Sequence, residues 1–202
     1  MAVTAQGVPV RCWTFAGKTS DQVIIRTITD DLAGWSLNRV LWVADRGFNS
    51  LANRAHLQRG GGHFIVAENL RNASGEAKAA FARPGRYASV AGNLEVKEVV
   101  VGEGERRQRF VLCHNPEAAQ HDQRVRANLV AYLTTQIDGS DEWTKSRSDE
   151  LAGKLKTTPA LWRFTRRLGD GRYRIDKAAI AKEAKLDGNW LLRTSDDGLT
   201  PH

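Results

Sequence analysis

The residues best placed for chemistry lie in the stretch Val40-Leu-Trp-Val-Ala-Asp-Arg-Gly-Phe-Asn49. Five mostly apolar residues run straight into Asp45, and Gly47 then breaks the run. That pattern predicts a buried strand delivering one carboxylate to the rim of a sheet. Ligand and metal sites in α/β sheets gather at the carboxyl ends of strands. A carboxylate there is a hard oxygen ligand suited to Mg²⁺. The simpler alternative is a strand-end aspartate that caps the turn through Gly47 and Asn49.

Other patterns exclude chemistry. Gly17-Lys-Thr19 looks like the end of a phosphate loop, but the first glycine of that pattern falls on Cys12. Gly102-x-Gly104 joins two strands and does not open a helix, so a dinucleotide loop fails. There is no Gly-x-Ser-x-Gly. Cys12 and Cys113 are far apart and read as free thiols, and with His56 and His63 scattered they make no structural zinc site. A phosphohydrolase using Asp45 as nucleophile would need a second carboxylate, and the next acid along the chain, Glu68, falls on another strand.

Positioning Asp45 requires alternating strands and helices. Residues 1–4 and 8–15 read as two strands joined through Gln6-Gly7, the second apolar on both faces and so covered. Ser20 or Asp21 caps a helix that Gly34 ends, and residues 40–44 form the buried strand. Residues 50–59 are helical, and residues 63–67 form a further strand. Strand, helix, strand, helix, strand with short joints predicts a parallel α/β arrangement.

Beyond residue 71 the composition turns small and polar up to residue 92. A hairpin follows, from 94–101 to 109–113, with a four-residue turn at Gly102-Glu-Gly-Glu105. Asn115 and Pro116 open a helix to about Thr135, and a short helix covers 149–155. Strands are expected at 161–165, 173–175 and 190–193, with Asp176 capping a helix over 177–185.

The 202 residues suffice for one domain or a domain with an insertion; 41% are hydrophobic and 26% charged, which is ordinary for a globular chain. No apolar run reaches the length of a membrane span, and the first ten residues do not read as a signal peptide, so a cytosolic location is expected. The formal charge of +7 suits a polyanionic partner, nucleic acid first. Basic residues gather at Arg54, Arg59 and Arg71, and again at Arg163, Arg166, Arg167, Arg172 and Arg174. Of six tryptophans, Trp13, Trp35 and Trp42 read as core. Trp143 and Trp162, beside basic residues, are the candidates for stacking on bases, with core packing favoured.

Several motifs resemble one family. Gly7-Val-Pro-Val10, Gly17-Lys-Thr-Ser-Asp21, Val43-Ala-Asp-Arg-Gly-Phe48, Ala67-Glu-Asn-Leu-Arg71, Leu186-Asp-Gly188 and Leu192-Arg-Thr-Ser195 look like the DDE transposases of bacterial insertion sequences, the "insertion sequence four" type. The resemblance implies α/β architecture: a partial ribonuclease H-like core over 1–71, an α+β insertion over 72–185, and a return strand over 186–202. It implies DNA transposition by metal-dependent phosphoryl transfer, in which three carboxylates bind two Mg²⁺ (or Mn²⁺) ions. Asp45 would be the middle carboxylate and metal ligand, and Arg46 and Arg71 would meet DNA.

The chain departs from the family pattern. The first catalytic Asp would precede Met1 and the final Glu would follow His202. The family's Tyr-x-x-Arg signature fails, with Val90, Thr135 and Asp176 in the arginine position after Tyr87, Tyr132 and Tyr173. The expectation is therefore a truncated transposase, inactive and not tightly metal-bound alone, in the bacterial cytosol near the nucleoid. Unpaired edges left by a missing strand would favour self-association or pairing with full-length transposase. The alternative is a non-catalytic DNA- or transposase-binding remnant acting as an inhibitor.

Overall fold

The structure is a computed structural model that describes residues 1–35, 37 and 39–200. The chain divides into two compact units. The first comprises residues 1–86, 97–112 and 191–202, and the second comprises residues 87–96 and 113–190.

The first unit opens with β1 (Ala2–Val3) and β2 (Pro9–Arg11), an antiparallel pair that forms its own small sheet. Helix α1 (Asp21–Ala33) follows, started at Ser20. Then come β3 (Leu41–Ala44), α2 (Leu51–Leu57), β4 (His63–Ala67) and α3 (Gly75–Ala82). The larger sheet of this unit runs β3, β4, β10 (Asn189–Thr194), β7 (Gln108–His114), β6 (Leu94–Val101). Strands β3 and β4 are parallel, whereas β10 is antiparallel to β4. The architecture is thus α/β with a mixed sheet.

Phe64 and Val66 on β4, with Ile25 of α1 and Leu57 of α2, form one apolar core, against which Trp42, Ala44 and Phe48 pack. The register sets Arg193 opposite Val66, so its side chain enters the same face. Arg193 is only 1% exposed. Its guanidinium donates to Glu68 at 2.5 Å, to Glu76 at 2.8 Å, to the Gln108 side chain at 3.1 Å and to the Ser74 hydroxyl at 3.3 Å. It also lies over the Phe110 ring, 4.6 Å from the centroid. A second buried arginine, Arg109, donates to Glu98 at 2.7 Å and to the backbone carbonyls of Asp196 and Leu199.

The second unit contains β5 (Ala88–Ala91), paired antiparallel with residues 94–96 of β6. It also contains α4 (Pro116–Ile137), α5 (Lys145–Lys156), α6 (Pro159–Trp162), the β8 (Thr165–Arg167) and β9 (Tyr173–Ile175) pair, and α7 (Lys177–Ala184). Its core gathers Leu133, Leu155, Phe164 and Tyr173, and the Tyr173 hydroxyl donates to the Ser148 carbonyl at 2.6 Å. Gly188, at φ +62°, passes so close to the backbone of Asn115 and Ala119 that a Cβ would collide with it.

Several expectations are corrected. Residues 40–44 do form a strand, over Leu41–Ala44, but not a buried one. β3 is the edge of its sheet, and its alternate residues Leu41 and Val43 are 38% and 75% exposed. Residues 8–15 form only the three-residue β2, with all three residues exposed. Residues 161–165 are not a strand, because Pro159 starts the short helix α6 and the strand begins at Thr165. The stretch 72–92 holds α3, whose cap is Ser74 accepting from Ala77 N–H, and β5; the alanine-rich pattern hid the helix because it buries only Ala77 and Ala80. The turn after β6 is longer than four residues and contains a 3₁₀ turn at Gly104–Arg106. Trp35, expected in the core, is 38% exposed.

Two predictions follow from these buried charges. Arg193→Leu leaves the Glu68 carboxylate buried without its cation and lowers stability by about 3–5 kcal/mol, and the double variant Arg193→Leu with Glu68→Leu recovers part of that loss. Urea denaturation followed by circular dichroism measures both. Asp196, 2% exposed, is pushed up by burial but more than offset by hydrogen bonds from Arg39 and the Gly198 N–H, so its pKa lies below the ordinary value. A depressed carboxylate stabilises the fold above its unfolded pKa of about 4. That contribution is lost as pH falls through the lower native value. Melting temperature against pH should therefore drop below about pH 4, and less steeply in Asp196→Asn.

Candidate functional site

The loop after β3 is held by a dense set of hydrogen bonds. The Asp45 carboxylate accepts from the Arg46 N–H at 2.7 Å, which caps the 3₁₀ turn Arg46–Phe48, and the Phe48 N–H donates to the Asp45 carbonyl at 3.0 Å. The Asn53 amide, fully buried, donates to the Phe48 carbonyl at 2.9 Å, and Ser50 caps α2 by accepting from Asn53 N–H at 3.1 Å. Asn49 donates to the Ala67 carbonyl at 2.9 Å and accepts from Arg54, so the ends of β3 and β4 are tied together. Asp45 and Arg46 are both exposed at the carboxyl end of β3 on a backbone with little freedom.

Asp45 therefore fills the capping role that its position allowed. Its side chain also borders an open cavity alongside β3. The sequence reading missed Asp21. Its carboxylate lies against Gly47, where a Cβ would collide with it, so two acids from separate elements approach one loop. The signal was present in Gly17-Lys-Thr-Ser-Asp21, where Asp21 reads as a helix cap. Glu68 is not part of this cluster, because Arg193 holds it. Among the described residues no three His, Cys, Asp or Glu side chains come together in a way that could hold a metal ion. The residues present do not fit a two-ion centre, which needs several carboxylates at once.

Arg71 lies in the 3₁₀ turn Leu70–Asn72 beyond β4 and is exposed. Arg54, half-buried on α2, has its pKa lowered by burial and then by the charge of Arg193, partly offset by Glu68 and Glu76. In the second unit four of the five late arginines carry counter-ions. Arg163 pairs with Glu183 at 2.8 Å and Arg174 with Asp141 at 2.7 Å, while Arg167 pairs with Asp149 and Arg172 with Asp170. Trp143 and Trp162, both partly buried, pack against the second unit's core, and Arg147 stacks on Trp143 at 4.3 Å.

His63 faces the Ser195 carbonyl at 3.3 Å, and the His56 Nε2 is 3.9 Å from Asp30. Cys12 is exposed and Cys113 half-buried, both as free thiols, and burial pushes the Cys113 pKa up. No helix among the described residues is long and apolar enough to cross a membrane. Comparison with protein-family models, with curated proteins and with solved structures returned no match.

The cap has a measurable consequence. Asp45→Ala removes an acceptor for a turn N–H and should cost about 1 kcal/mol, whereas Asp45→Asn keeps an acceptor and should be near neutral. Thermal melts in the presence and absence of millimolar Mg²⁺ separate capping from ligation. Equal Mg²⁺ responses of the wild type and Asp45→Asn are expected, and a Mg²⁺ stabilisation lost only in Asp45→Asn would show ligation.

Proposed function

We propose that the chain carries part of a ribonuclease H-like core of a DDE transposase, binds DNA, and does not cleave it alone. One observation carries the reading. A parallel β3–β4 pair with helical connections presents an exposed Asp45–Arg46 dipeptide at the carboxyl end of β3. This is the position from which a strand-end carboxylate meets a ligand. The free edge of β3 supports it further, since the family's core has another strand beside the corresponding one.

Arg46 and Arg71 follow the carboxyl ends of adjacent parallel strands, so both can approach one phosphate backbone. Arginine suits this role because its planar fork meets phosphate oxygens two at a time. The formal charge of +7 adds a nonspecific attraction. In the family Mg²⁺ would polarise the phosphoryl group and activate the nucleophile. Asp45 alone does not supply its cage, so no cleavage step is assigned to this chain.

A second reading, a DNA-binding or transposase-binding remnant that acts as an inhibitor, is favoured by the capping role of Asp45. It predicts the same DNA binding, unaltered in Asp45→Asn, and interference when the chain is mixed with an active transposase of this type.

Fluorescence anisotropy on a labelled duplex of about 30 base pairs tests DNA binding. Affinity should fall linearly with the logarithm of salt, and removing both arginines in Arg46→Ala with Arg71→Ala should reduce the slope by about 1.8. No binding at low salt would sink both readings. On supercoiled plasmid no Mg²⁺- or Mn²⁺-dependent nicking is expected; nicking abolished by Asp45→Ala would overturn the proposed inactivity.

A further inference from the structure

Arg54 is a half-buried guanidinium without a counter-ion of its own. It lies on α2, and its Nη1 donates to the Asn49 side-chain oxygen. Among the described residues no carboxylate stands within ion-pair distance of it. The two acids that its charge feels, Glu68 and Glu76, both bind Arg193, at 2.5 Å and 2.8 Å. Burial, and then the charge of Arg193, outweigh those acids and lower the Arg54 pKa. The surroundings therefore oppose this cation, and an incoming anion would offset that opposition.

Its place in the fold is set by Asn49. That residue closes the loop that begins at Asp45, and its amide nitrogen donates to the carbonyl of Ala67, the last residue of β4. Arg54 is thus held where the parallel strands β3 and β4 end, on the rim that carries Arg46 and leads on to Arg71. The bond to Asn49 uses Nη1 and leaves the Nε–Nη2 edge without a protein acceptor among the described residues. That edge presents two parallel N–H groups, which match two oxygens of one phosphate. Because Asn49 already orients the side chain, less rotamer freedom is lost when a ligand binds it.

We propose that Arg54 is a phosphodiester receptor, whose Nε–Nη2 edge grips one backbone phosphate of DNA while Asn49 sets the direction of the fork. This role rests on the DNA-binding reading and adds to it a contact that needs the shape of an arginine as well as its charge. A lysine at the same position would bring only a point charge.

The test uses the whole chain and a fluorescein-labelled duplex. Anisotropy across a salt series is measured for the wild type, Arg54→Lys and Arg54→Gln, each accompanied by a thermal melt. Arg54→Lys should keep the salt slope and bind about tenfold more weakly, the loss expected when a charge-assisted fork becomes a single contact. Arg54→Gln should also reduce the slope by about 0.9, the counterion release of one phosphate. A merely structural role would lower the melting temperature of both variants and leave the slope as it is.

A second measurement needs no variant to fold. On the wild type, the duplex should slow modification of Arg54 by phenylglyoxal, read by peptide mass, and millimolar inorganic phosphate should protect it far less. The proposal is overturned when the wild type binds DNA but Arg54→Lys binds as tightly or Arg54→Gln keeps the full slope. It is also overturned when Arg54 reacts as fast in the complex as in the free chain. Equal protection by inorganic phosphate would overturn it too, by making this a site for a free anion. Failure of the wild type to bind DNA removes the DNA-binding reading and this contact together, whereas the other results strike the contact alone.

Discussion

A guanidinium inside an apolar sheet face is the constraint on which the first unit is built. An arginine cannot be taken out of water without counter-charge, since the desolvation penalty is several kcal/mol per ion even after relaxation. Arg193 therefore draws elements to itself: Glu68 from the end of β4, Ser74 and Glu76 from the start of α3, Gln108 and Phe110 from β7. Three separate segments are fixed by one side chain on a fourth, β10. Each partner is directional, so the network specifies register as well as contributing energy. A slip of β10 by one residue would turn Arg193 to the other face and leave Glu68 buried alone.

That network also shapes what the functional candidates can be. Glu68 follows a parallel strand next to the one that ends at Asp45, and by topology alone it could have been a second carboxylate. Arg193 takes it into the interior instead. The acid that does approach the Asp45 loop is Asp21, brought by the start of α1 and made possible by the absence of a side chain at Gly47. Charge placement thus separates a structural carboxylate from an exposed one. The Asn49 and Asn53 side-chain amides, donating to backbone carbonyls, then hold the loop of the exposed one in place.

The other end of the sheet of the first unit behaves in the opposite way. Where Arg193 closes the interior, β3 leaves one edge and one face open. Trp42 and Ala44 pack on the core with Ile25 and Phe64, but Leu41 and Val43 point away from it. A strand with apolar residues on both faces is ordinarily covered on both. β3 has the composition of a covered strand in the position of an edge strand, and the cavity bordered by β1 and β3 is the space in which that mismatch is visible.

Local features were legible in the chain because they depend on neighbouring residues. The helix starts at Ser20, Asn115 and Asp176, the strand at 63–67 and the hairpin strands near 94–101 and 109–113 follow from periodicity and residue type, and at Asn115 and Asp176 from side chains that bond to the next turn. So did the strand-then-aspartate pattern at Asp45. What the chain could not show was which strand lies at an edge, because composition records how apolar a strand is and not how many neighbours it has. Nor could it show that Arg193 meets Glu68, a partner 125 positions away, or that most of the late arginines pair with carboxylates. The Arg193–Glu68 pairing exists only once distant segments share a sheet, where low dielectric makes an unpaired charge too costly to keep. The elements are local consequences of residue type; the edge, the cavity and the buried ion network are consequences of their assembly.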